Sequence, residues 1–202
     1  MVHSQLRARS IRDESVLEAM LQVPRHEFVP DEYKRIAYAD RPIPIAEEQT
    51  ISQPFIVAAS LQALMLRGSE SVLEVGTGSG YQTALLAVLA RVVYSVERHA
   101  ALARQAESAL SRLDIKNAKI FVGDGSNGLR EYAPYDAILV SAAAPKIPQS
   151  LLHQLGEGGR MVIPVGPPHA QELQLVRKTH GNTEIDVIEG CRFVPLIGTE
   201  GY

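Results

Sequence analysis

A glycine-rich turn between a strand pattern and a helix pattern constrains the fold of this chain more than any other feature. The segment reads Val72-Leu73-Glu74-Val75-Gly76-Thr77-Gly78-Ser79-Gly80. The apolar residues of Ser71–Val75 predict a buried strand, and the spacing within Tyr81–Leu89 predicts a helix. Glycine permits the tight turn between them and leaves the backbone open to close approach by a ligand. A turn of this kind that binds nothing is the alternative at this point.

The segments after this turn repeat the order of strand, helix and strand. Further strands are predicted at Val92–Val96, Lys119–Val122, Asp136–Val140, Arg160–Pro164, Leu173–Lys178 and Ile185–Ile188, and Arg192–Leu196 is expected to be extended. Helices are predicted at His99–Leu113 and near Pro148–Leu155. Strands that alternate with helices form parallel βαβ units. The sequence therefore predicts an α/β, Rossmann-like fold, with a mostly parallel sheet and helices on both faces.

The N-terminal part of the chain is helical rather than alternating. Helices are predicted over residues 13–23, 31–38 and 54–66, with a loop over residues 39–52. Asp13 is expected to cap the first helix, and either Ser52 or Gln53 the third, which carries Pro54 in its first turn. The 202 residues contain no repeat and no low-complexity linker, so we expect one domain over residues 1–202. Within it, residues 1–66 form a helical cap and a substrate-facing loop, and residues 67–202 form the core with its C-terminal strands.

Charge and composition restrict the partners of this chain. Lysine and arginine number 20 against 23 acidic residues, a net charge of −3, which argues against a broad phosphate-binding surface and so against a nucleic acid partner. Cys191 is the only cysteine, so neither an internal disulfide nor a cysteine-based zinc site is expected. The longest uncharged apolar run, Ala84–Ala90, is too short to span a bilayer, and residues 1–20 lack the apolar core of a signal peptide. We therefore expect a cytoplasmic monomer that needs neither a membrane nor a metal.

Two acidic residues follow the next two strands and suit an adenosine ligand. Glu97 ends the strand after the glycine turn, about 20 residues beyond Gly76, where a carboxylate reaches the hydroxyls of a ribose in folds of this type. Asp124 lies between Gly123 and Gly125 after the following strand, where it could accept a hydrogen bond from an adenine amino group. Either residue could instead be a solvated carboxylate at the end of a strand.

The spacing of the glycines distinguishes between adenosine cofactors. Dinucleotide folds prefer G-x-G-x-x-G, whereas this chain has G-x-G-x-G, with Tyr81 at the position of the third glycine. The acidic Glu74 also suits a cationic methionyl group better than a pyrophosphate. The sequence therefore favours S-adenosylmethionine, with S-adenosylhomocysteine as product, over a nicotinamide cofactor. We expect the cofactor to contact a set of residues around this turn and the neighbouring strand ends: Thr50, Gly76, Thr77, Gly78, Ser79, Gly80, Glu97, Arg98, Asp124 and Gly125.

The segment after the fourth strand of the core bears on the methyl acceptor. Enzymes that methylate amino groups of nucleic acid bases commonly carry an Asn/Asp-Pro-Pro-aromatic run there. This chain instead has Ser141-Ala142-Ala143-Ala144-Pro145, which offers no side chain to receive an exocyclic amine. A methyltransferase for a small molecule or for RNA, a nicotinamide-dependent oxidoreductase and a non-catalytic adenosine-binding module are the alternatives.

Several motifs in order along the chain resemble those of the protein-L-isoaspartate O-methyltransferase family. They are Gln49-Thr50-Ile51-Ser52-Gln53-Pro54, Glu74 to Thr83, Val96-Glu97-Arg98, Gly123-Asp124-Gly125, Tyr135-Asp136-Ala137-Ile138, Gly158-Gly159-Arg160 and Arg192-Phe193-Val194-Pro195-Leu196. The Thr-Ile-Ser-Gln-Pro run is the most specific of them. The resemblance covers residues 23–196 and implies methylation of the free carboxylate of L-isoaspartyl and D-aspartyl residues in damaged proteins. The ester then closes to a succinimide, which begins repair.

The resemblance also implies roles for individual residues. Ser52 would be the catalytic residue, as a hydrogen-bond donor that orients the acceptor carboxylate, and Thr50, Val194 and Pro195 would also contact the substrate. Because a carboxylate with an ordinary pKa near ~4 is already ionised at neutral pH, in-line displacement at the sulfonium needs no general base. A role for Ser52 as a helix cap alone is the alternative, and the two roles are compatible.

Overall fold

A seven-stranded sheet organises the molecule, and the computed structural model describes all of residues 1–202. A two-stranded hairpin comes first along the chain, with β1 at Ile43–Pro44 and β2 at Thr50–Ile51. The strands of the large sheet are β3 Ser71–Val75, β4 Val92–Glu97, β5 Ala118–Val122, β6 Tyr135–Val140, β7 Leu155–Val165, β8 Gln171–Thr179 and β9 Asn182–Cys191. Their order across the sheet is β5-β4-β3-β6-β7-β8-β9.

Five α-helices accompany these strands. They are α1 Glu14–Gln22, α2 Pro54–Leu64, α3 Tyr81–Leu89, α4 Ala100–Arg112 and α5 Gln149–Gln154. The side chain of Asp13 caps α1 by accepting hydrogen bonds from the N–H groups of Ser15 and Val16, as predicted. The α/β class and the mostly parallel sheet are confirmed, and the predicted boundaries of α3 agree with the structure at both ends.

The parallel part of the sheet brings the predicted motifs to one edge. β3 lies between β4 and β6 and runs parallel to both, so the carboxyl ends of these three strands are neighbours. Because the chain leaves β3 toward β4 on one side and reaches β6 on the other, this is the switch point at which α/β folds open a crevice for ligands. The glycine turn after Val75, Glu97 and Ser141 all lie at this edge. β8 and β9 then add antiparallel strands beyond β7.

The N-terminal segment and the sheet share one apolar core. A single buried cluster includes Leu6, Leu17 and Leu61 from the N-terminal part together with Leu85 and Val93 from the α/β part. Burial of these side chains is the main favourable contribution to folding of both parts. No helix of the structure is both long enough and apolar enough to cross a bilayer.

The segment before the sheet differs from the sequence prediction in two places. The second predicted helix is a 3₁₀ segment, Asp31–Ile36, and the predicted loop over residues 39–52 contains the β1–β2 hairpin. The short apolar and proline-rich pattern of this hairpin has too few residues to show a strand period. Both elements are therefore set by packing rather than by local pattern.

The third predicted helix is present as α2, but its predicted side-chain cap is wrong. Gln53 occupies the N-cap position without a side-chain hydrogen bond, and Ser52 precedes it. The N–H of Phe55 instead donates to Oδ1 of Asp40 at 2.9 Å. The helix also ends at Leu64, two residues before the predicted end, because Met65 adopts a left-handed conformation with φ of 51°.

The segment after β9 is extended, as predicted, although it is no strand of the large sheet. The N–H of Ala143 donates to the carbonyl of Val194, and the N–H of Leu196 donates to the carbonyl of Ala143, each at 2.8 Å. These bonds fix the C-terminal segment beside the chain that leaves β6. They bring Val194 and Pro195 to the carboxyl edge of the sheet.

Candidate active site

The glycine turn has the backbone geometry that the sequence predicts. Gly76, Gly78 and Gly80 have φ angles of 91°, 54° and 87°, in the left-handed region that favours glycine. A Cβ atom on Gly80 would also lie 3.0 Å from the Cβ of Ala106 on α4. The turn therefore depends on glycine both for its conformation and for the approach of α4.

Glu97 supports the turn and faces the space beside it. The residue is only 4% exposed. Its Oε2 accepts a hydrogen bond from the N–H of Gly78, and its Oε1 accepts one from the N–H of His99, each at 2.9 Å. A carboxylate offers about four acceptor positions, so further hydrogen bonds to a ligand remain available.

A cavity lies over this turn at the carboxyl edge of the sheet. Its empty volume, including the open space at its mouth, is about 810 Å³. Most of the predicted cofactor and substrate residues line it: Thr50, Ser52, Gly76, Thr77, Gly78, Ser79, Glu97, Arg98, Gly125, Val194 and Pro195. Gly80 and Asp124 belong to the predicted set but do not line the cavity. We refer to this space as the cofactor cavity.

Asp124 is held by its own loop and by the C-terminal segment. Its Oδ1 accepts hydrogen bonds from the N–H and hydroxyl of Ser126 at 2.9 and 2.6 Å. Its Oδ2 accepts from the N–H and hydroxyl of Thr199 at 2.8 and 2.9 Å. Partial burial works to raise the pKa of Asp124, but these bonds outweigh it and the pKa is lowered. The carboxylate is thus occupied in this structure, and only the adjacent Gly125 reaches the cavity wall.

Glu74 lies beneath the turn and does not line the cofactor cavity, so its carboxylate does not contact the space available to a methionyl group. Its side chain is fully buried, and its Oε2 accepts hydrogen bonds from the hydroxyls of Thr83 and Ser95 at 2.5 and 2.6 Å. The hydroxyl of Ser95 also pairs with that of Thr77 in the turn. Burial raises the pKa of Glu74 to about 7, which these hydrogen bonds only partly oppose.

A second groove adjoins the cofactor cavity on the side of the C-terminal segment. Its wall includes Pro42, Gln53, Ile56, Gly190, Cys191, Arg192 and Phe193. Four residues line both spaces: Thr50, Ser52, Ser141 and Val194. We call these four residues the shared wall. Three of them are residues that the sequence analysis assigned to the substrate.

Ser52 is positioned through its backbone by a buried arginine that the sequence analysis missed. The Nη2 of Arg25 donates to the carbonyl of Ser52 at 2.7 Å, and its Nε donates to the carbonyl of Ala37 at 2.8 Å. Its guanidinium carbon lies 4.8 Å from the centre of the Tyr81 ring. Burial lowers the pKa of Arg25, an effect opposed by the nearby Tyr81. The only sequence signal was an arginine between two apolar segments, which is also common on surfaces.

Ser141 is the member of the shared wall that the sequence analysis did not assign. It directly follows β6, and its N–H donates to the carbonyl of Val75 at 2.8 Å. The Nε2 of Gln82 on α3 donates to its Oγ at 2.6 Å. The rule that ligands bind beyond the carboxyl ends of parallel strands could have identified it. Only a small hydroxyl follows the strand here, where a longer polar side chain would have been a clearer signal.

Comparison with known proteins identifies the family to which this geometry belongs. The sequence model of the protein-L-isoaspartate(D-aspartate) O-methyltransferase family matches residues 1–201. This chain belongs to that family. The predicted family and the predicted transfer of a methyl group to isoaspartyl residues are thereby confirmed, with S-adenosylmethionine as the cofactor.

Individual relatives agree with this membership over more than nine-tenths of their length. The chain is 54% identical over 202 residues to protein-L-isoaspartate O-methyltransferase of Koribacter versatilis, covering 100% of this chain and 91% of the relative. It is 53% identical to the enzyme of the same name from Methanoculleus marisnigri, covering 100% of this chain and 92% of the relative.

A solved structure shows the same fold with a ligand. A Plasmodium falciparum chain described as a protein-L-isoaspartate O-methyltransferase, in complex with S-adenosyl-L-homocysteine, superposes with a TM-score of 0.82 at 30% identity. The match covers 95% of this chain and 94% of the other. It supports the Rossmann-like methyltransferase fold predicted from the glycine turn.

Proposed function

We propose that the cofactor cavity holds S-adenosylmethionine, and that the adjoining groove holds the isoaspartyl or D-aspartyl segment of a damaged protein. The observation that carries this proposal is the shared wall, because it lies where the two spaces meet. A methyl acceptor in the groove and a donor in the cavity would face each other across Thr50 and Ser52. Methylation of the side-chain or main-chain carboxylate there would begin repair through a succinimide.

The residues of the cofactor cavity fit this cofactor by their chemistry. Glu97 retains acceptor positions that suit the two hydroxyls of a ribose. Gly76 and Gly78 in the turn offer backbone without side chains, and Gly125 contributes to the cavity wall. Arg98, Thr50, Thr77 and Ser79 complete the proposed contacts. When bound, S-adenosylmethionine supplies an electrophilic methyl group on a sulfonium.

Ser52 is proposed as the residue that orients the acceptor carboxylate. Its hydroxyl would donate to one carboxylate oxygen, while Arg25 fixes its backbone from the buried side. The shared wall carries no histidine, carboxylate or amine. Since the acceptor is already an anion at neutral pH, the chain needs to position it and to exclude water, and needs no proton acceptor. Val194 and Pro195 would hold the peptide beside it.

The setting of this activity is also a proposal. We propose that the chain works as one domain, since its N-terminal segment and its sheet share one apolar core, and that it works as a monomer. We propose protein rather than nucleic acid substrates, in the cytoplasm. The net charge of −3 and the unpaired thiol of Cys191 support these proposals.

Two peptides that differ only in aspartyl or isoaspartyl linkage test the proposed function. The enzyme should transfer methyl groups to the isoaspartyl peptide and leave the aspartyl peptide unmethylated. Ser52→Ala should lower kcat about ten- to a hundredfold, because a hydrogen bond to a charged group is lost, with S-adenosylhomocysteine affinity nearly unchanged. Its unfolding midpoint should stay the same, because the side chain of Ser52 does not cap α2.

Ser52→Thr serves as the matched control, since it keeps the hydroxyl and adds one methyl group next to the acceptor. Its kcat should lie between those of the native enzyme and Ser52→Ala. Full activity in Ser52→Ala would remove Ser52 from the mechanism. Equal methylation of both peptides would contradict the proposed substrate.

A further inference from the structure

The hydroxyl of Ser141 is directed by its neighbours. Gln82 donates its amide N–H to Oγ of Ser141, which uses one acceptor position and leaves the O–H free to donate. The backbone N–H of Ser141 is satisfied by Val75, so the residue cannot move without breaking the link between β6 and β3. No other protein group accepts the Ser141 hydroxyl proton, and the residue lines both the cofactor cavity and the groove.

The amide of Gln82 is placed as a donor toward Ser141. Its Nε2, which carries two hydrogens, lies 2.6 Å from Oγ of Ser141. Gln82 therefore does not compete for the Ser141 proton.

We infer that Ser141 is a second catalytic hydroxyl, which donates a hydrogen bond to the acceptor carboxylate across the shared wall from Ser52, with Gln82 as the residue that positions it. This inference rests on the proposed function, because it assigns a further contact to the same acceptor. Ser141, directly after β6, and Ser52, before α2, would each donate to the same carboxylate and so restrict its rotation. A single donor would leave that rotation free.

The use of hydroxyls rather than a cation suits this reaction. A guanidinium on the acceptor would stabilise the carboxylate in its unreacted state and would repel a nearby sulfonium. A neutral hydroxyl also orients the carboxylate but stabilises its negative charge less. The carboxylate therefore keeps more of its nucleophilicity. The basic residues around the two spaces, Arg98 and Arg192, each line only one of them and are absent from the shared wall.

Ser141→Ala tests this inference in the full-length enzyme. The variant should lower kcat/KM for an isoaspartyl peptide about ten- to a hundredfold, with S-adenosylhomocysteine affinity within about twofold of native. Calorimetry with the isoaspartyl peptide on the enzyme saturated with S-adenosylhomocysteine should show weaker binding by a similar factor. Ser141→Thr should restore most of the activity, since it retains the donor. Ser108→Ala, on the exposed face of α4, is the control for removal of a serine hydroxyl.

Gln82→Leu separates positioning from packing. If Gln82 acts only through Ser141, the double variant Gln82→Leu with Ser141→Ala should be no slower than Ser141→Ala alone. Native rates for Ser141→Ala would overturn the inference and leave the proposed function standing, provided the native enzyme methylates the isoaspartyl peptide. A variant that lost cofactor affinity but kept kcat and peptide affinity would make Ser141 a cofactor contact only. An unmethylated isoaspartyl peptide with native enzyme would instead refute the proposed function.

Discussion

The side chain of Glu97 supports the glycine turn and also lines the cofactor cavity. It accepts hydrogen bonds from the N–H groups of Gly78 and His99, and so connects the glycine turn to the start of α4. The same buried carboxylate lines the cofactor cavity. A change at this residue therefore affects the shape of the turn as well as any direct contact with the cofactor.

Glu97→Ala is expected to weaken S-adenosylhomocysteine binding by about 1–3 kcal/mol, because charge-assisted bonds are lost. Glu97→Gln should lose less, since its amide oxygen can still accept one backbone N–H. Calorimetry measures the affinities, and denaturant unfolding reports damage to the turn itself. Glu107→Ala, on the exposed side of α4, is the control. Unchanged affinity in a folded Glu97→Ala protein would exclude Glu97 from the cofactor site.

Glu74 should make stability depend on pH. Its pKa in the folded protein is about 7, above the ordinary value of 4.5. Between these values the unfolded chain has released the proton and the folded chain still holds it, so the free energy of unfolding falls as pH rises. The limiting slope for one group is about 1.4 kcal/mol per pH unit.

Glu74→Gln tests this expectation, because the amide has a similar shape and does not titrate. Between about pH 5 and about pH 7, the free energy of unfolding of the native protein, measured with denaturant, should fall relative to that of Glu74→Gln. All other titrating groups are common to the two proteins, so the difference reports Glu74. Parallel curves would mean that Glu74 is ionised throughout this range.

The start of α2 depends on an earlier segment of the chain. Asp40 accepts the N–H of Phe55, and it also forms an ion pair with Arg9. The guanidinium of Arg9 lies 3.5 Å from the centre of the Phe55 ring. These contacts connect three segments at the helix that follows Ser52. They place the segment proposed to bind the acceptor relative to the N-terminal helices.

Asp40→Ala should reduce the free energy of unfolding by about 1–2 kcal/mol, because α2 loses its cap. Asp40→Asn keeps an oxygen for the N–H of Phe55 and loses only a partly exposed ion pair, which is worth less than about 1 kcal/mol. The denaturant midpoint should therefore fall further for alanine than for asparagine. Equal losses in the two variants would assign the stabilisation to the ion pair with Arg9.

The last residues of the chain connect several loops at the carboxyl edge of the sheet. Thr199 binds Asp124, the N–H of Glu200 donates to Oγ of Ser126 at 3.0 Å, and the hydroxyl of Tyr202 donates to the carbonyl of Gly166 at 2.5 Å. Leu196 and Ile197, directly before this segment, line the cofactor cavity. The segment over residues 198–202 therefore holds one wall of that cavity in place.

Removal of residues 198–202 should weaken S-adenosylhomocysteine binding by about 1–2 kcal/mol, the range for loss of one or two net hydrogen bonds that hold the wall. Calorimetry on the shortened protein measures this, with circular dichroism to verify its fold. Tyr202→Phe removes one of the bonds and should have a smaller effect. If the shortened protein binds S-adenosylhomocysteine with native affinity, the cavity wall keeps its structure without residues 198–202.

The elements whose signals are local could be predicted from the amino-acid sequence. The glycines at 76, 78 and 80 specify their own left-handed conformations, and the helix period of Tyr81–Leu89 predicts α3 with its observed ends. The position of Glu97 after its strand predicted a place beside the turn, because the carboxyl ends of neighbouring parallel strands meet. The motifs of the family predicted substrate contacts for Thr50, Ser52, Val194 and Pro195, and the structure brings the first three together in the shared wall.

Contacts between side chains of distant segments could not be predicted, because they depend on how the elements pack. Thr199 donates to Asp124, which lies 75 residues earlier in the chain. Gln82 donates to Ser141, which lies 59 residues later. Asp40 rather than Ser52 contacts the first turn of α2. Periodicity reports which face of an element is apolar, but not which element lies opposite a polar side chain. That depends on the order of the strands and on the packing of the N-terminal segment, because a hydrogen bond needs its partner within about 3 Å whatever the distance along the chain.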